Sequence, residues 1–189
     1  LTAVTTQCDY PAEVKNIPTV GGFVDINFEE VRNVNPDIVF TSTLVQKKIA
    51  LQSQQLGWKT IHIDPKNMNE VYESILIIGE ALGVSKNADH VVRNMKTKIS
   101  QIYEKTKQAK TTPHVYIEEW PDPPYACGNW IPDLIRYAGG KSMIKKGRSR
   151  VVTTEEIVKF NPQIIFISYC GSGNQNDIDK IRYRKGWRQ

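Results

Sequence analysis

Two kinds of apolar pattern alternate along the chain. Short β-branched runs stand at Ile38-Val39-Phe40 and Ile164-Ile165-Phe166-Ile167, with further strand-like stretches at 1–6 (LTAVTT), 59–63 (KTIHI) and 114–118 (HVYIE). The first two are continuous rather than alternating, which predicts strands covered on both faces, as in a parallel sheet. Helical patterns fall between them at 44–56, 68–82 and 130–138, the last ended by Gly139-Gly140. This alternation of strand and helix predicts an α/β protein with parallel sheets. A longer pattern covers 86–110, where Ala88, Val91, Val92, Met95, Ile99, Ile102 and Tyr103 recur at helical spacing without an intervening proline or glycine. At about 1.5 Å per residue it would run roughly 35 Å, too long for a simple crossover in a small lobe.

The chain also repeats itself. Residues 28–40 (FEEVRNVNPDIVF) and 154–166 (TEEIVKFNPQIIF) share an acidic pair, an Asn-Pro and a closing Phe, at a constant offset of 126 residues. In each copy the acidic pair suits the positive end of a helix dipole. The proline then disfavours helix at the residue before it, and a strand follows. Two distant copies are not a solenoid; they predict two lobes on one plan. The expected organisation is an N-terminal lobe over 1–85, a linking helix over 86–110 and a C-terminal lobe over 111–189.

In open α/β sheets, ligands bind beyond the carboxyl ends of the strands. Four stretches fall there: CDYP at 8–11, GGF at 21–23, EEWPDPPYACGNWIPDLIRYAGG at 118–140, and YCGSG at 169–173. They bring Tyr10, Phe23, Trp120, Tyr125, Trp130 and Tyr169 forward as ligand-binding candidates. The 118–140 stretch reads as a loop between a strand and a helix. Its Pro121, Pro123 and Pro124 would hold its aromatics with little ordering cost. Packing roles compete with ligand roles at each position, above all for Tyr10 in its turn and for Trp130 at a helix start. As a set, the aromatics suit a large, flat, partly apolar ligand.

Composition narrows the function further. With 40% hydrophobic and 24% charged residues, the chain reads as an ordinary globular protein. It contains no apolar run of the roughly 18 residues that a membrane span needs. It starts at Leu1 without a secretory signal, as a fragment or a trimmed product would. The net charge of +5 comes partly from Lys145, Lys146, Arg148 and Arg150 and from Arg182, Arg184, Lys185 and Arg188. These read as solvated surface, and no nucleic-acid-reading motif accompanies them. Cys8, Cys127 and Cys170 form no CxxC pair, and their odd number argues against a full disulfide framework. All three follow strand-like stretches, so a shared metal site remains an alternative. His62, His90 and His114 are scattered, HExxH is absent, and GSGNQN at 171–176 is a turn rather than a phosphate loop. Glu118, Glu119 and Asp122 are the remaining acid–base candidates. No catalytic centre is expected.

The same stretches carry a family resemblance. The CDYP and VGGF segments, the W-x-D-P-P-Y and G-x-W-I-P elements within 118–140, and the strand leading into YCG resemble the substrate-binding proteins of ABC importers for vitamin B12 and ferric siderophores. Within them the cobalamin-binding subgroup is the most similar. The resemblance covers essentially the whole chain and implies the class III periplasmic-binding-protein fold: two Rossmann-like lobes with parallel sheets, joined by one long helix. It implies an extracytoplasmic protein, periplasmic or extracellular, with membrane anchoring through a preceding segment as an option, that binds cobalamin or a related corrinoid in the interlobe cleft and delivers it to permease subunits. The corrinoid is then cargo, not a cofactor. Tyr10, Phe23 and Tyr125 would line its site with Trp120 and Trp130 close by, and Glu29 would dock the permease. Relatives begin with a further strand and helix before Leu1 and continue past Trp187, where a second docking glutamate would lie. Ser42 is polar where some relatives have an aromatic. The alternatives are a ferric siderophore or haem carrier of the same class, and a metal-cofactor enzyme or assembly factor using Cys8, Cys127 and Cys170.

Overall fold

The structure, a computed structural model, describes residues 1–169 and 178–187. It forms two compact units, Leu1–Asp64 and Pro65–Gln189.

In the first unit, helix α1 (Phe28–Asn33) starts at Asn27, whose side-chain oxygen accepts hydrogen bonds from the backbone N–H groups of Glu29 and Glu30. This satisfies two donors that the first helical turn leaves free. Strand β1 (Val39–Ser42) follows and pairs in parallel with β2 (Thr60–Ile63), with Thr41 opposite His62. Helix α2 (Lys47–Gln55) is the crossover between them, entered through a 3-10 turn at Leu44–Gln46. Segment 1–6 is not a full strand. It contributes a single parallel bridge from Val4 to Thr19, and a second bridge joins Gly21 to Ile26.

The second unit contains α3 (Met68–Ala81) and α4 (Ser85–Thr106), and then a mixed sheet. Its central strand is β3 (His114–Pro121). One edge pairs in parallel with β7 (Ile164–Ile167). The other pairs in parallel with β5 (Lys141–Ser142) and antiparallel with β4 (Pro124–Ala126), which continues to β6 (Arg150–Val151). Helices α5 (Ile131–Tyr137), α6 (Thr154–Phe160) and α7 (Ile178–Arg182) complete the unit. Tyr116, Ala126, Ile144, Val152 and Ile157 form its main core. A second cluster of Met68, Tyr72 and Val92 joins α3 to α4 and takes in Trp130 and Tyr137.

Three differences from the sequence pattern have physical causes. The compact units divide at 64/65, not at the expected 85, because the apolar face of α3 is committed to α4 within the second unit. Gly79 permits this approach: a Cβ there would lie 2.3 Å from that of Ala88. The 86–110 helix, observed as Ser85–Thr106, is accordingly packed on its own unit along α3 and at Tyr137 of α5. Among the described residues β7 pairs only with β3 and Phe166 is 54% exposed, so its continuous apolar run is not covered on both faces.

Candidate binding site

The segment that the sequence presents as an aromatic loop is a β-hairpin. Strand β3 runs on to Pro121, turns through Asp122-Pro123 and returns as β4. Trp120 faces Tyr125 across the two strands, after an irregularity between Glu118 and Trp120. Such cross-strand pairs set two aromatic side chains side by side. Trp120 is 52% exposed and Tyr125 half-buried. The hairpin therefore presents aromatic surface at the carboxyl end of the central strand.

The start of the hairpin is fixed by a buried charge. Glu118 has no solvent exposure. Its two carboxylate oxygens accept hydrogen bonds from Tyr116 Oη at 2.8 Å, Tyr169 Oη at 2.6 Å, and Arg184 Nη1 and Nη2 at 2.5 and 2.8 Å. Arg184 also donates to the carbonyl of Pro121 at 3.1 Å and lies over the Trp187 ring. The guanidinium thus ties the 178–187 segment to both the carboxylate and the hairpin turn. Burial, then the hydrogen bond to Glu118, pushes the Tyr116 and Tyr169 hydroxyls well above the ordinary phenol range, while the hydrogen bond to Glu118 raises Arg184. An acid–base role for Glu118 does not fit a carboxylate so fully bonded. Arg184, read from the sequence as solvated surface, is largely buried. Nothing in its basic cluster distinguishes it from its neighbours, so only the fold reveals its part.

The other expected site residues divide by unit. In the first, Tyr10 is 87% exposed and Phe23 half-buried. The Phe23 backbone is held by Gln46, whose Nε2 donates to its carbonyl at 2.7 Å while Oε1 accepts from the Ser42 N–H at 2.7 Å. Ser42 therefore spends its backbone in fixing Phe23. Glu29 is exposed on the first turn of α1. In the second unit, Trp130 packs on the Met68–Tyr72–Val92 cluster and Tyr169 spends its hydroxyl on Glu118. Gly128 brings the 127–130 segment against Arg148 and Ser149 so closely that a Cβ would lie 2.2 Å from the Arg148 carbonyl carbon. Its N–H donates to Ser149 Oγ.

The cysteine alternative gains no geometry. Cys8 is exposed in the first unit, Cys127 is buried in the second, and Cys170 lies outside the described residues, as does 171–176. Among the described residues no group of three His, Cys, Asp or Glu side chains is placed to hold a metal ion. Burial, with nearby Glu119 adding to it, pushes the Cys127 thiol up to about 12. His114 donates from Nδ1 to the Phe160 carbonyl, His62 bonds Thr41, and His90 bonds Asn94. No described helix is long and apolar enough to cross a membrane.

A parallel β1–β2 pair with its crossover helix in one unit, and a mixed sheet whose central strand pairs in parallel with β5 and β7 in the other, match the α/β architecture of a class III periplasmic binding protein. The chain belongs to the periplasmic binding protein family, whose model matches residues 1–189. It is 34% identical over 172 residues to the uncharacterized ABC transporter substrate-binding lipoprotein YvrC of Bacillus subtilis, covering 86% of this chain and 54% of YvrC. It is 25% identical over 160 residues to the high-affinity heme uptake system protein IsdE of Staphylococcus aureus, covering 82% of this chain and 55% of IsdE. The chain thus spans about half the length of the curated relatives it matches. The structure of S. aureus IsdE complexed with heme superposes with a TM-score of 0.81 at 22% identity, covering 99% of this chain and 76% of that one. The periplasmic vitamin B12 binding protein BtuF of Vibrio cholerae gives 0.71 at 20% identity, covering 88% and 67%.

Proposed function

We propose that the chain is the ligand-holding part of an extracytoplasmic ABC-importer substrate-binding protein whose cargo is a tetrapyrrole, in the first instance cobalamin or a related corrinoid. The observation that carries this reading is the exposed Trp120 set beside Tyr125 on a hairpin anchored by Glu118. A rigid pair of aromatic faces suits a large, flat, partly apolar macrocycle and costs little ordering on binding. Trp120 and Tyr125 are the proposed lining in the second unit, and Tyr10 and Phe23 are the ligand-binding candidates of the first. Trp130 and Tyr169 would add ring surface only, since packing and the Glu118 hydrogen bond hold them in place.

Haem is the second reading, supported by the relation to IsdE, a heme uptake protein. Iron in haem needs an axial donor from the protein, and the exposed Tyr10 hydroxyl is the proposed one. The reading involves binding and delivery rather than catalysis. Glu29 is the proposed permease-docking residue, and Glu155 is its equivalent in the internal repeat.

Calorimetric titration of the full-length protein with cyanocobalamin, cobinamide, haemin and a ferric siderophore separates the readings. Binding of the first two alone supports the corrinoid. Binding of haemin alone, lost in Tyr10→Phe, moves the assignment to haem. Heat with the siderophore alone overturns the tetrapyrrole and keeps the class.

A further inference from the structure

The positive charge of the chain belongs to its second unit. Residues 65–189 hold 20 Lys and Arg against 13 Asp and Glu, whereas residues 1–64 hold 5 against 7. Part of the surplus gathers on one face. Lys66 before α3, Arg136 on α5, and Lys145 and Lys146 in the loop between β5 and β6 surround a hollow of about 310 Å3. Lys96 extends the face from α4. Its Nζ stands 5.0 Å from the centre of the Tyr72 ring, and Tyr137 of the hollow packs on the same Met68–Tyr72–Val92 cluster. Arg136 lies over the Tyr137 ring in the same way, at 4.4 Å. A cation over an aromatic face is held there by the ring quadrupole.

Two carboxylates stand beside these five cations, and neither pairs with a lysine. Asp133 accepts the Met68 N–H at 3.0 Å and an Arg136 N–H at 3.1 Å. Glu70 accepts the Lys66 backbone N–H at 2.8 Å and Asn67 Nδ2 at 2.7 Å. Among the described residues Lys66, Lys96, Lys145 and Lys146 are exposed and have no carboxylate within ion-pair distance. The cations come from four separate segments, so the fold gathers them; they are not the solvated stripe of one helix. Like charges held together without counter-ions project a positive field into solvent. Ammonium groups on long flexible stems select no particular small anion. They suit a partner that itself offers many loosely placed negative charges.

We propose that this face of the second unit lies against the anionic lipid headgroups of the membrane that holds the permease. The proposal rests on the importer reading, since a protein that delivers cargo to a permease works beside a bilayer, and it is independent of which cargo is carried. Basic residues near an anionic bilayer each add to the attraction, which salt screens over about 8 Å at physiological ionic strength.

The full-length protein, in unlipidated form, is sedimented with vesicles of phosphatidylcholine alone and of phosphatidylcholine with an equal part of phosphatidylglycerol. Binding is expected only to the phosphatidylglycerol vesicles, and should weaken by about tenfold or more from low salt to physiological ionic strength. Lys145→Glu/Lys146→Glu should weaken it by about tenfold or more at low salt. Lys47→Glu/Lys48→Glu makes the same change in net charge at an exposed pair on α2 of the first unit, and should leave it within about twofold.

Absence of binding at low salt, or equal binding to both kinds of vesicle, overturns the proposal. Equal weakening by the two lysine pairs overturns it as well, because net charge alone would then account for the attraction. Stimulation of transporter ATPase in nanodiscs with and without phosphatidylglycerol separates lipid from permease. Lys145→Glu/Lys146→Glu is expected to weaken stimulation only in the phosphatidylglycerol discs; equal weakening in both overturns the lipid and moves the face to the permease itself. Tetrapyrrole titration of the same protein keeps the readings apart. Vesicle binding without tetrapyrrole binding sinks only the cargo, whereas tetrapyrrole binding without vesicle binding sinks only this face.

Discussion

Four hydrogen bonds converge on the carboxylate of Glu118, two of them from Arg184. Removing one member of a buried ion pair leaves the other charge uncompensated, at a cost of about 3–5 kcal/mol. Arg184→Met or Glu118→Gln is therefore expected to lower the urea-unfolding free energy by that amount. Glu118→Gln/Arg184→Met together should cost less than the two single-site losses summed, because no charge is then stranded. Strict additivity in that cycle would mean that the pair is not coupled. Protons matter at alkaline pH. Burial, then Glu119, pushes the Cys127 thiol from 9.0 up to about 12, so the folded chain keeps a proton that the unfolded chain has released. Stability is then full below about 9 and falls as pH rises towards about 12, by up to about 1.4 kcal/mol per pH unit for this group. The raised Tyr116 and Tyr169 hydroxyls act in the same direction. In a Cys8→Ser/Cys170→Ser background, Ellman's reagent should react with Cys127 at the rate of unfolding. Prompt reaction at pH 8 would contradict its burial.

At the scale of elements, α3 and α4 depend on one missing methyl. Gly79→Ala places a Cβ 2.3 Å from that of Ala88 and should cost about 1–3 kcal/mol, read as a fall in the thermal midpoint. Ala88→Gly in the same chain should recover part of it, and a melt unaffected by Gly79→Ala would place the contact elsewhere. Helices and the inner strands were legible because each has its own periodicity or punctuation: Asn35-Pro36 and Asn161-Pro162 mark where α1 and α6 end and β1 and β7 follow. The hairpin was not legible, since three prolines between Trp120 and Tyr125 read as a loop, and pairing across a turn depends on a partner strand. The β5 and β6 strands are two residues each, too short for any period. The aromatic candidates were legible as residue types. The Arg184 anchor was not, because a basic cluster reads the same whether it is solvated or buried.

At the scale of the whole molecule, the internal repeat yields two matching helix starts. Asn27 caps α1, and Thr153 forms a capping box with Glu156 on α6, so both leave an exposed glutamate on the first turn, Glu29 and Glu155. Hydrogen bonds from its own backbone N–H and from Thr153 hold the Glu155 carboxyl below the usual carboxylate range, so it stays charged in mildly acidic surroundings. A rigid turn that presents a fixed negative charge is suited to meeting arginines on a membrane partner. Mutating such rim charges changes association rate and salt dependence more than anything within the protein. Glu29→Lys/Glu155→Lys is therefore expected to keep the dissociation constants for cargo and to lower the unfolding midpoint only slightly, since each lysine meets the positive end of a helix. It should also lower the apparent affinity for the reconstituted transporter by about tenfold or more and flatten its salt dependence. The measurement is stimulation of transporter ATPase by titrated binding protein at two ionic strengths. If stimulation is unchanged, the two glutamates are only helix-start charges. If Glu29→Lys alone removes all stimulation and Glu155→Lys none, docking follows one unit, and the repeat is shared architecture rather than a shared docking surface.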